Sequence, residues 1–241
     1  CRLYQPGLVL EGGSIEVDGE GTALTTEECL LNANRNPHLR KDDISALLRD
    51  HLAVDTIIWL PKGVYLDETD GHIDNLARFV TSGQVMLTWT DDEDDPQWEI
   101  SQVARRVLES AVDSRGRSLD VVPIHQPGPL TTTADEAAGI DHVPGAQPRL
   151  PGERLAGSYV NSYIGNDIVI VPVFDDPHDD AAVAQYATLF PGRRVLTVPG
   201  REIVLGGGNV HCITQQVPVG RGEVGGPTWL AASSVTMASG G

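Results

Sequence analysis

One cysteine stands among neighbours suited to chemistry. Cys212 follows a run of three consecutive glycines that ends at Gly208, and His211 precedes it directly. A single cysteine is most often a small buried hydrophobic residue, but the glycines allow the backbone to approach a ligand closely or to adopt positive φ. We therefore interpret Cys212 as a candidate nucleophile and Gly208 as a candidate substrate contact. On a strand, His211 would face away from Cys212 and could not serve as its base.

His72 and Asp74 form a second candidate pair. Two residues apart on a strand, their side chains would share one face about 7 Å apart, so that one substrate touches both. The plainer alternative is that His72 caps a turn and Asp74 is a charge at a strand edge. A metal ion would need a third ligand, and no second His-rich motif supplies one. We predict no metal and no cofactor.

A cysteine, a histidine and carboxylates around one centre suggest nucleophilic attack on an electrophilic carbon. The net charge of −17 argues against binding of nucleic acid or anionic membranes and favours a small cation. A guanidinium fits, because its planar fork pairs with carboxylates and its carbon can accept a thiolate.

The elements that must position these residues follow a repeated order of strand, turn, strand, helix and strand. The first copy has strands at 15–17 and 22–31, a helix at 40–52 and a strand at 56–60. The second has strands at 73–80 and 85–89, a helix at 97–108 and a strand at 119–124. The third has strands at 159–164 and 168–173, a helix at 179–190 and a strand at 195–198. A fourth begins with a strand at 203–214 and lacks its helix.

Such ββαβ repeats typically pack around an axis. Each copy carries polar residues at the start of its first strand, and these starts should converge on one centre: Glu11, His72 with Asp74, Asn161, and Cys212. Polar groups are too costly to bury without a purpose, so this centre is predicted to be the site.

The chain is predicted to form a single domain over residues 1–219, with a flexible Gly/Ser-rich tail at 220–241. Residues 127–152 are predicted to form a long surface loop, either a lid or disordered. Three cysteines without a paired motif fit a reducing compartment, and we expect the cytoplasm. The chain opens on Cys1 rather than Met, which suggests a fragment or processed piece.

Several segments together resemble the agmatine deiminases of the guanidine-modifying (pentein) superfamily, which also includes bacterial-type peptidylarginine deiminases. These segments are 10–15, 18–22, 34–37, 67–75, 158–161 and 206–216. The resemblance runs in order over residues 8–218 and is far more specific than any one motif.

The resemblance implies an α+β fold, a propeller of five ββαβ units around a pseudo-fivefold axis, of which about three and part of another are present. It implies hydrolysis of agmatine to N-carbamoylputrescine and ammonia through a covalent thiouronium, a step of putrescine and polyamine biosynthesis. By position, Cys212 would be the nucleophile, His72 the general acid/base and Asp74 a guanidinium-binding carboxylate. Glu11 would contact the substrate or support the site, and Asn161 and Gly208 would bind substrate.

The chain also departs from that family. Its members carry a Trp-x-Arg-Asp-x-Gly-Pro-like motif whose aspartate holds the guanidinium opposite the position of Asp74, and the sequence contains nothing like it. We therefore expect the chain to be an N-terminally truncated catalytic domain, which we also expect to form a homo-oligomer. Two alternatives remain: deimination of peptidyl or free arginine, and a non-catalytic remnant that binds a cationic ligand or a partner.

Overall fold

The computed structural model describes residues 6–141 and 149–216 and contains three ββαβ units, each with its own three-stranded sheet. In every unit the first two strands form an antiparallel hairpin, and the third strand lies parallel to the second after a helical crossover. The repeat predicted from the sequence is confirmed.

The first unit pairs β1 (Ile15–Val17) with β2 (Thr22–Thr26). The chain then passes through α1 (Glu27–Leu30) and α2 (Lys41–Leu52) to β3 (Thr56–Leu60). The strand predicted to run to residue 31 stops at Thr26, whose hydroxyl accepts a hydrogen bond from the Cys29 amide and caps α1.

The second unit begins with a helical turn, α3 (Ile73–Leu76), followed by the hairpin of β4 (Ala77–Thr81) and β5 (Gln84–Trp89). The strand predicted from residue 73 was therefore wrong in its first half. The crossover helix α4 (Pro96–Ser110) leads to β6 (Asp120–His125). Asp95, the last of five consecutive acidic residues at 91–95, caps this helix and so has a structural role.

The third unit follows a long connection that contains one short helix, α5 (Ala134–Gly139), where only a loop was predicted. Its hairpin joins β7 (Tyr163–Ile164) and β8 (Ile168–Val173), and α6 (Asp179–Leu189) leads to β9 (Arg194–Pro199). The first strand is shorter than predicted because residues 159–161 turn before it begins.

The fourth copy departs most from the prediction of a strand at 203–214. This segment contains α7 (Arg201–Val204) and a series of turns up to residue 213. Gly207 and Gly208 have φ values of 86° and 114°, which lie outside the β region and break any strand there. The glycines set the path of the chain toward Cys212.

Neighbouring units share hydrophobic clusters, which fix them relative to one another. Leu24 and Leu60 of the first unit pack with Leu87 and Leu108 of the second in one buried cluster. A second cluster joins residues of the second and third units in the same way, including Met86, Ile124, Val171 and Tyr186. Because such interiors are close-packed, the turns that precede each hairpin are held on a rigid frame.

Two further predictions fall partly or wholly outside the described residues: the tail at 220–241, and the part of the long connection at 142–148. None of the helices within residues 6–141 and 149–216 has the length and apolar content needed to cross a bilayer.

Candidate active site

Of the polar residues expected at the centre, those of the three complete units lie in turns just before the first strand, rather than on the strands. Glu11 precedes the 3-10 turn Gly12–Ser14, His72 is the N-cap of α3, and Asp74 lies inside that helical turn. Asn161 lies in the turn that leads to β7, and Cys212 follows α7. The structure brings these turns together, although the strand spacing assumed for His72 and Asp74 was wrong.

Cys212 lies against a buried carboxylate. Its Sγ is 3.3 Å from Asp74 Oδ2, and the Nδ2 atom of Asn161 donates a hydrogen bond to the sulfur at 3.0 Å. Burial and the negative charge of Asp74 raise the pKa of Cys212 to about 12. The free protein therefore holds this residue as a thiol at neutral pH.

Asp74 is fully buried and has one satisfied and one unsatisfied oxygen. Oδ2 is 2.8 Å from the Nδ1 atom of His211 in addition to its contact with the sulfur. Oδ1 is buried and has no hydrogen-bond partner within the part of the chain that the structure describes. An unsatisfied carboxylate oxygen in this position favours a ligand that donates hydrogen bonds.

His211 is the main site residue that sequence reasoning missed. It lies in a turn, not on a strand, and its side chain is only 6% exposed where it contacts Asp74. Its backbone N–H donates to Asn161 Oδ1 at 2.8 Å. The position next to Cys212 was visible in the sequence, but the assumption of a strand placed the side chain on the wrong face.

His72 is almost fully buried, with its side chain 8% exposed. Neither ring nitrogen has a hydrogen-bond partner within residues 6–141 and 149–216. Nε2 is 3.6 Å from Glu11 Oε1, too long for a hydrogen bond. A Cβ at Gly13 would lie 2.6 Å from both His72 Nδ1 and Asp74 Oδ2, so glycine is required for the two side chains to come this close.

Glu11 is held by Arg35, a second residue that the sequence did not single out for the site. The Nη2 atom of Arg35 is 2.7 Å from Glu11 Oε1, and its Nη1 atom is 2.9 Å from Asp70 Oδ2. Burial opposes ionisation of Glu11, but the hydrogen bonds and charge of Arg35 outweigh it and lower the pKa of this carboxyl. Glu11 is therefore an anion beside His72.

Asn161 lies behind the sulfur and has no exposed surface. Its Oδ1 accepts the backbone N–H of His211, and its Nδ2 donates to Asn75 Oδ1 at 2.8 Å as well as to Cys212. Gly208 is also close to the sulfur, since a Cβ on this residue would be 2.7 Å from Sγ. In the described structure both predicted substrate contacts touch the nucleophile candidate itself.

Four of the side chains described above border one cavity of about 290 Å³. Its lining includes Glu11, His72, His211 and Cys212. A larger cavity of about 680 Å³ lies along α4 and contains none of them. The chemistry favours the smaller cavity, because it combines a thiol, an unpartnered imidazole and a carboxylate. Glu11, His72 and the buried Cys29 also bring possible metal-ligand atoms together.

A model of the Porphyromonas-type peptidyl-arginine deiminase family matches residues 1–218. An agmatine deiminase of Pseudomonas aeruginosa (strain UCBPP-PA14) is 59% identical over 221 residues, which are 92% of this chain and 60% of that protein. The agmatine deiminase of Ectopseudomonas mendocina is 57% identical over 223 residues, or 92% of this chain and 61% of that protein. The chain thus spans about three fifths of the length of these relatives.

Solved structures agree with this result. The agmatine deiminase of Enterococcus faecalis superposes with a TM-score of 0.83 at 43% identity, over 88% of this chain and 57% of that one. The fold is therefore the pentein fold, as the family resemblance implied and in agreement with the ββαβ repeat. With its family model matched from residue 1 to residue 218, the chain belongs to the Porphyromonas-type peptidyl-arginine deiminase family.

Proposed function

We propose that the protein hydrolyses the guanidinium group of agmatine to N-carbamoylputrescine and ammonia, a step toward putrescine and other polyamines, without a cofactor. The observation that carries the proposal is a cavity lined by Cys212 and the unpartnered His72, with the Asp74 carboxylate 3.3 Å from the cysteine sulfur. A thiol, an acid/base group and a carboxylate are the groups that nucleophilic attack on a guanidinium requires.

Substrate binding begins at Asp74. The unsatisfied Oδ1 accepts a hydrogen bond from the guanidinium, and the positive charge of the substrate balances the negative charge of the buried carboxylate. His211 keeps the carboxylate oriented through its 2.8 Å contact with Oδ2. The guanidinium carbon then lies beside the sulfur of Cys212, which is 3.3 Å from the same carboxylate.

Activation of the thiol depends on the substrate. In the free protein, burial and the charge of Asp74 hold the pKa of Cys212 near 12. A guanidinium bound to Asp74 cancels the repulsion between this carboxylate and a Cys212 thiolate, and it places a positive charge next to the sulfur. The pKa of the thiol therefore falls, and its proton can move to His72. The nucleophile is thus generated only when a cation occupies the site.

The chemical steps follow from this arrangement. The thiolate attacks the guanidinium carbon and forms a C–S bond, and the tetrahedral adduct expels ammonia after His72 protonates the leaving nitrogen. The resulting thiouronium is attacked by water, whose proton His72 accepts. The C–S bond then breaks, releasing the ureido product and restoring the thiolate of Cys212.

Agmatine is favoured over arginine because the relatives at 57% and 59% identity are named agmatine deiminases. The family name itself refers to peptidyl-arginine, so that substrate is the second candidate. Among the described residues, Glu11 brings a carboxylate to the cavity wall, and the buried carboxylate of Asp74 lies 3.3 Å from the Cys212 sulfur. Residues 1–219 would form one catalytic domain that is incomplete relative to the family.

The test is product formation by the protein that carries this chain, measured as ammonia and N-carbamoylputrescine from agmatine and as ammonia and citrulline from free or peptidyl arginine. We expect turnover of agmatine, little or none of arginine, and none with Cys212→Ser. Preferred turnover of arginine would reject the substrate, and unchanged turnover in Cys212→Ser would reject the nucleophile. Binding of agmatine without any turnover would support a non-catalytic remnant instead.

A cytoplasmic location and a homo-oligomeric state belong to the same proposal. The free thiols of Cys29 and Cys212 fit a reducing compartment. The oligomeric state is open to direct measurement by light scattering after size exclusion.

A further inference from the structure

Three residues from separate segments bring ligand atoms to one point beside the cavity. Cys29 comes from α1, Glu11 from the turn before β1, and His72 from the cap of α3. One ligand atom from each lies within 4.8 Å of the other two. No local sequence pattern predicts this cluster, because its members are 18 and 43 residues apart along the chain.

We propose that Glu11, Cys29 and His72 form a binding site for Zn²⁺. Zinc prefers thiolate, imidazole and carboxylate ligands in tetrahedral geometry, and neighbouring ligand atoms then lie about 3.3–3.6 Å apart. The distance between His72 Nε2 and Glu11 Oε1 is 3.6 Å, within that range before any metal binds. Small side-chain movements would bring the sulfur into the same sphere.

The state of His72 points to a ligand independently of the cysteine. Its side chain is 8% exposed, and neither ring nitrogen has a hydrogen-bond partner in the described residues. A buried polar atom without a partner is unfavourable, and coordination of zinc would satisfy one nitrogen. Neutral imidazole is among the commonest zinc ligands.

The surroundings also fit a metal. Arg35 donates to both oxygens of Glu11, at 2.9 and 3.0 Å, and so fixes the carboxylate from behind, as outer hydrogen bonds do around metal ligands. The backbone of Cys29 is fixed by the Thr26 cap. The charges of a Cys29 thiolate and of Glu11 would balance that of Zn²⁺, while Asp70 balances Arg35.

The site has three protein ligands and an approach for the ion. Glu11 and His72 line the 290 Å³ cavity, so the fourth coordination position can be filled by water from that side. This matches an accessible zinc site rather than a closed structural one. If the proposed function holds, bound zinc removes His72 from proton transfer, and zinc acts as a reversible inhibitor.

The first experiment needs no turnover. Zinc binding to the 241-residue chain is measured by isothermal titration calorimetry in a Cys1→Ser background, with Cys29→Ala as the test variant and Cys212→Ser as its matched control. Loss of an outer-shell partner alone costs about 10–100-fold in metal affinity, so loss of Cys29 should cost at least about 100-fold. Cys212→Ser should bind like the parent. Dependence on Cys212 and not on Cys29 would overturn the proposal.

Cobalt supplies a second measurement that does not depend on a folded Cys29 variant. Co²⁺ bound to the parent chain should show thiolate-to-metal charge-transfer absorption that persists in Cys212→Ser and disappears on addition of excess Zn²⁺. Absence of this absorption at saturating Co²⁺ would refute the site.

The inhibitory consequence is tested separately, by agmatine turnover in the presence of zinc. We expect zinc to inhibit the parent and a chelator to restore activity. In Cys29→Ala, the zinc concentration needed for half-inhibition should rise by the same factor as the zinc affinity falls. Failure of the proposed function would leave zinc binding intact and turnover absent. Turnover insensitive to bound zinc would contradict the inhibitory role alone.

Discussion

Asp74→Asn should make Cys212 more reactive toward alkylation while abolishing deimination. The carboxylate lies 3.3 Å from the sulfur. At that separation and an effective dielectric constant of about 20, the repulsion between the carboxylate and a thiolate is about 5 kcal/mol. This repulsion could raise the thiol pKa by at most about 3.7 units. Burial is the larger cause of the pKa near 12 and remains in the variant. We therefore expect a fall of about one unit, or about tenfold more thiolate near pH 8.

The assay is the rate of iodoacetamide modification of the peptide that contains Cys212, followed by mass spectrometry between pH 7 and about pH 10. Peptide mapping separates Cys212 from Cys1 and from the fully buried Cys29. Asp74→Asn should react about tenfold faster at pH 8 than the parent. Added agmatine should slow alkylation of Cys212 in the parent, because the bound guanidinium covers the sulfur and the thiouronium has no free thiol, and should protect the variant less.

Asp70→Asn is the matched control, because this carboxylate pairs with Arg35 and not with the sulfur. It should leave the alkylation profile of Cys212 unchanged. Equal or slower alkylation in Asp74→Asn would show that the negative charge does not suppress the thiolate, and substrate-dependent activation would then be wrong.

Three further predictions concern the supports of the site. His211→Ala removes the 2.8 Å partner of Asp74, and kcat/KM for agmatine should fall about 10–150-fold, since such a bond is worth about 1.5–3 kcal/mol. Gly208→Ala places a Cβ 2.7 Å from the sulfur at a φ of 114°, so urea denaturation should show a loss of about 1–3 kcal/mol. Arg35→Ala should make the free energy of unfolding depend less on pH in the acid range. The pKa of Glu11 is lower in the folded protein than its unfolded value near 4.3, so Glu11 stabilises the fold above that pH, and this stabilisation is lost as pH falls through the folded pKa.

Each has a control in the chain. Gln216→Ala removes a 3.3 Å neighbour of His211 without touching Asp74 and should change kcat/KM little. Gly192→Ala adds a Cβ where nothing lies within 4 Å and should be close to neutral in urea. For Arg35→Ala, a stability deficit that is the same at pH 6 and at about pH 3.5 would contradict the role given to Glu11.

The hairpins, crossover helices and third strands could be predicted because their periodicity is local. The second strands at Thr22–Thr26 and Ile168–Val173 carry apolar and β-branched residues between turn signals. The predictions failed at Ile73–Leu76, where apolar residues three positions apart fit a helical turn, and where glycines with positive φ redirect the chain, as at Gly207 and Gly208.

The residues of the candidate site also fall into those that the sequence identified and those that it missed. Cys212, His72 and Asp74 were identified through residue types and the family motifs, and the structure brings all three to one place. His211 and Arg35 were missed because their roles depend on contacts across units: His211 meets Asp74 137 positions away, and Arg35 meets Glu11 24 positions away. No local pattern encodes such partners.

Covalent attachment of agmatine to Cys212 is the central claim. The most direct measurement is mass spectrometry of the Cys212 peptide after rapid acid quenching of the protein during turnover of agmatine. We predict an adduct on this peptide with the mass of agmatine less ammonia, which forms on mixing, decays as N-carbamoylputrescine appears, and is absent in Cys212→Ser. Continued release of N-carbamoylputrescine with no such adduct at any time, or with the adduct on another cysteine, would contradict the account.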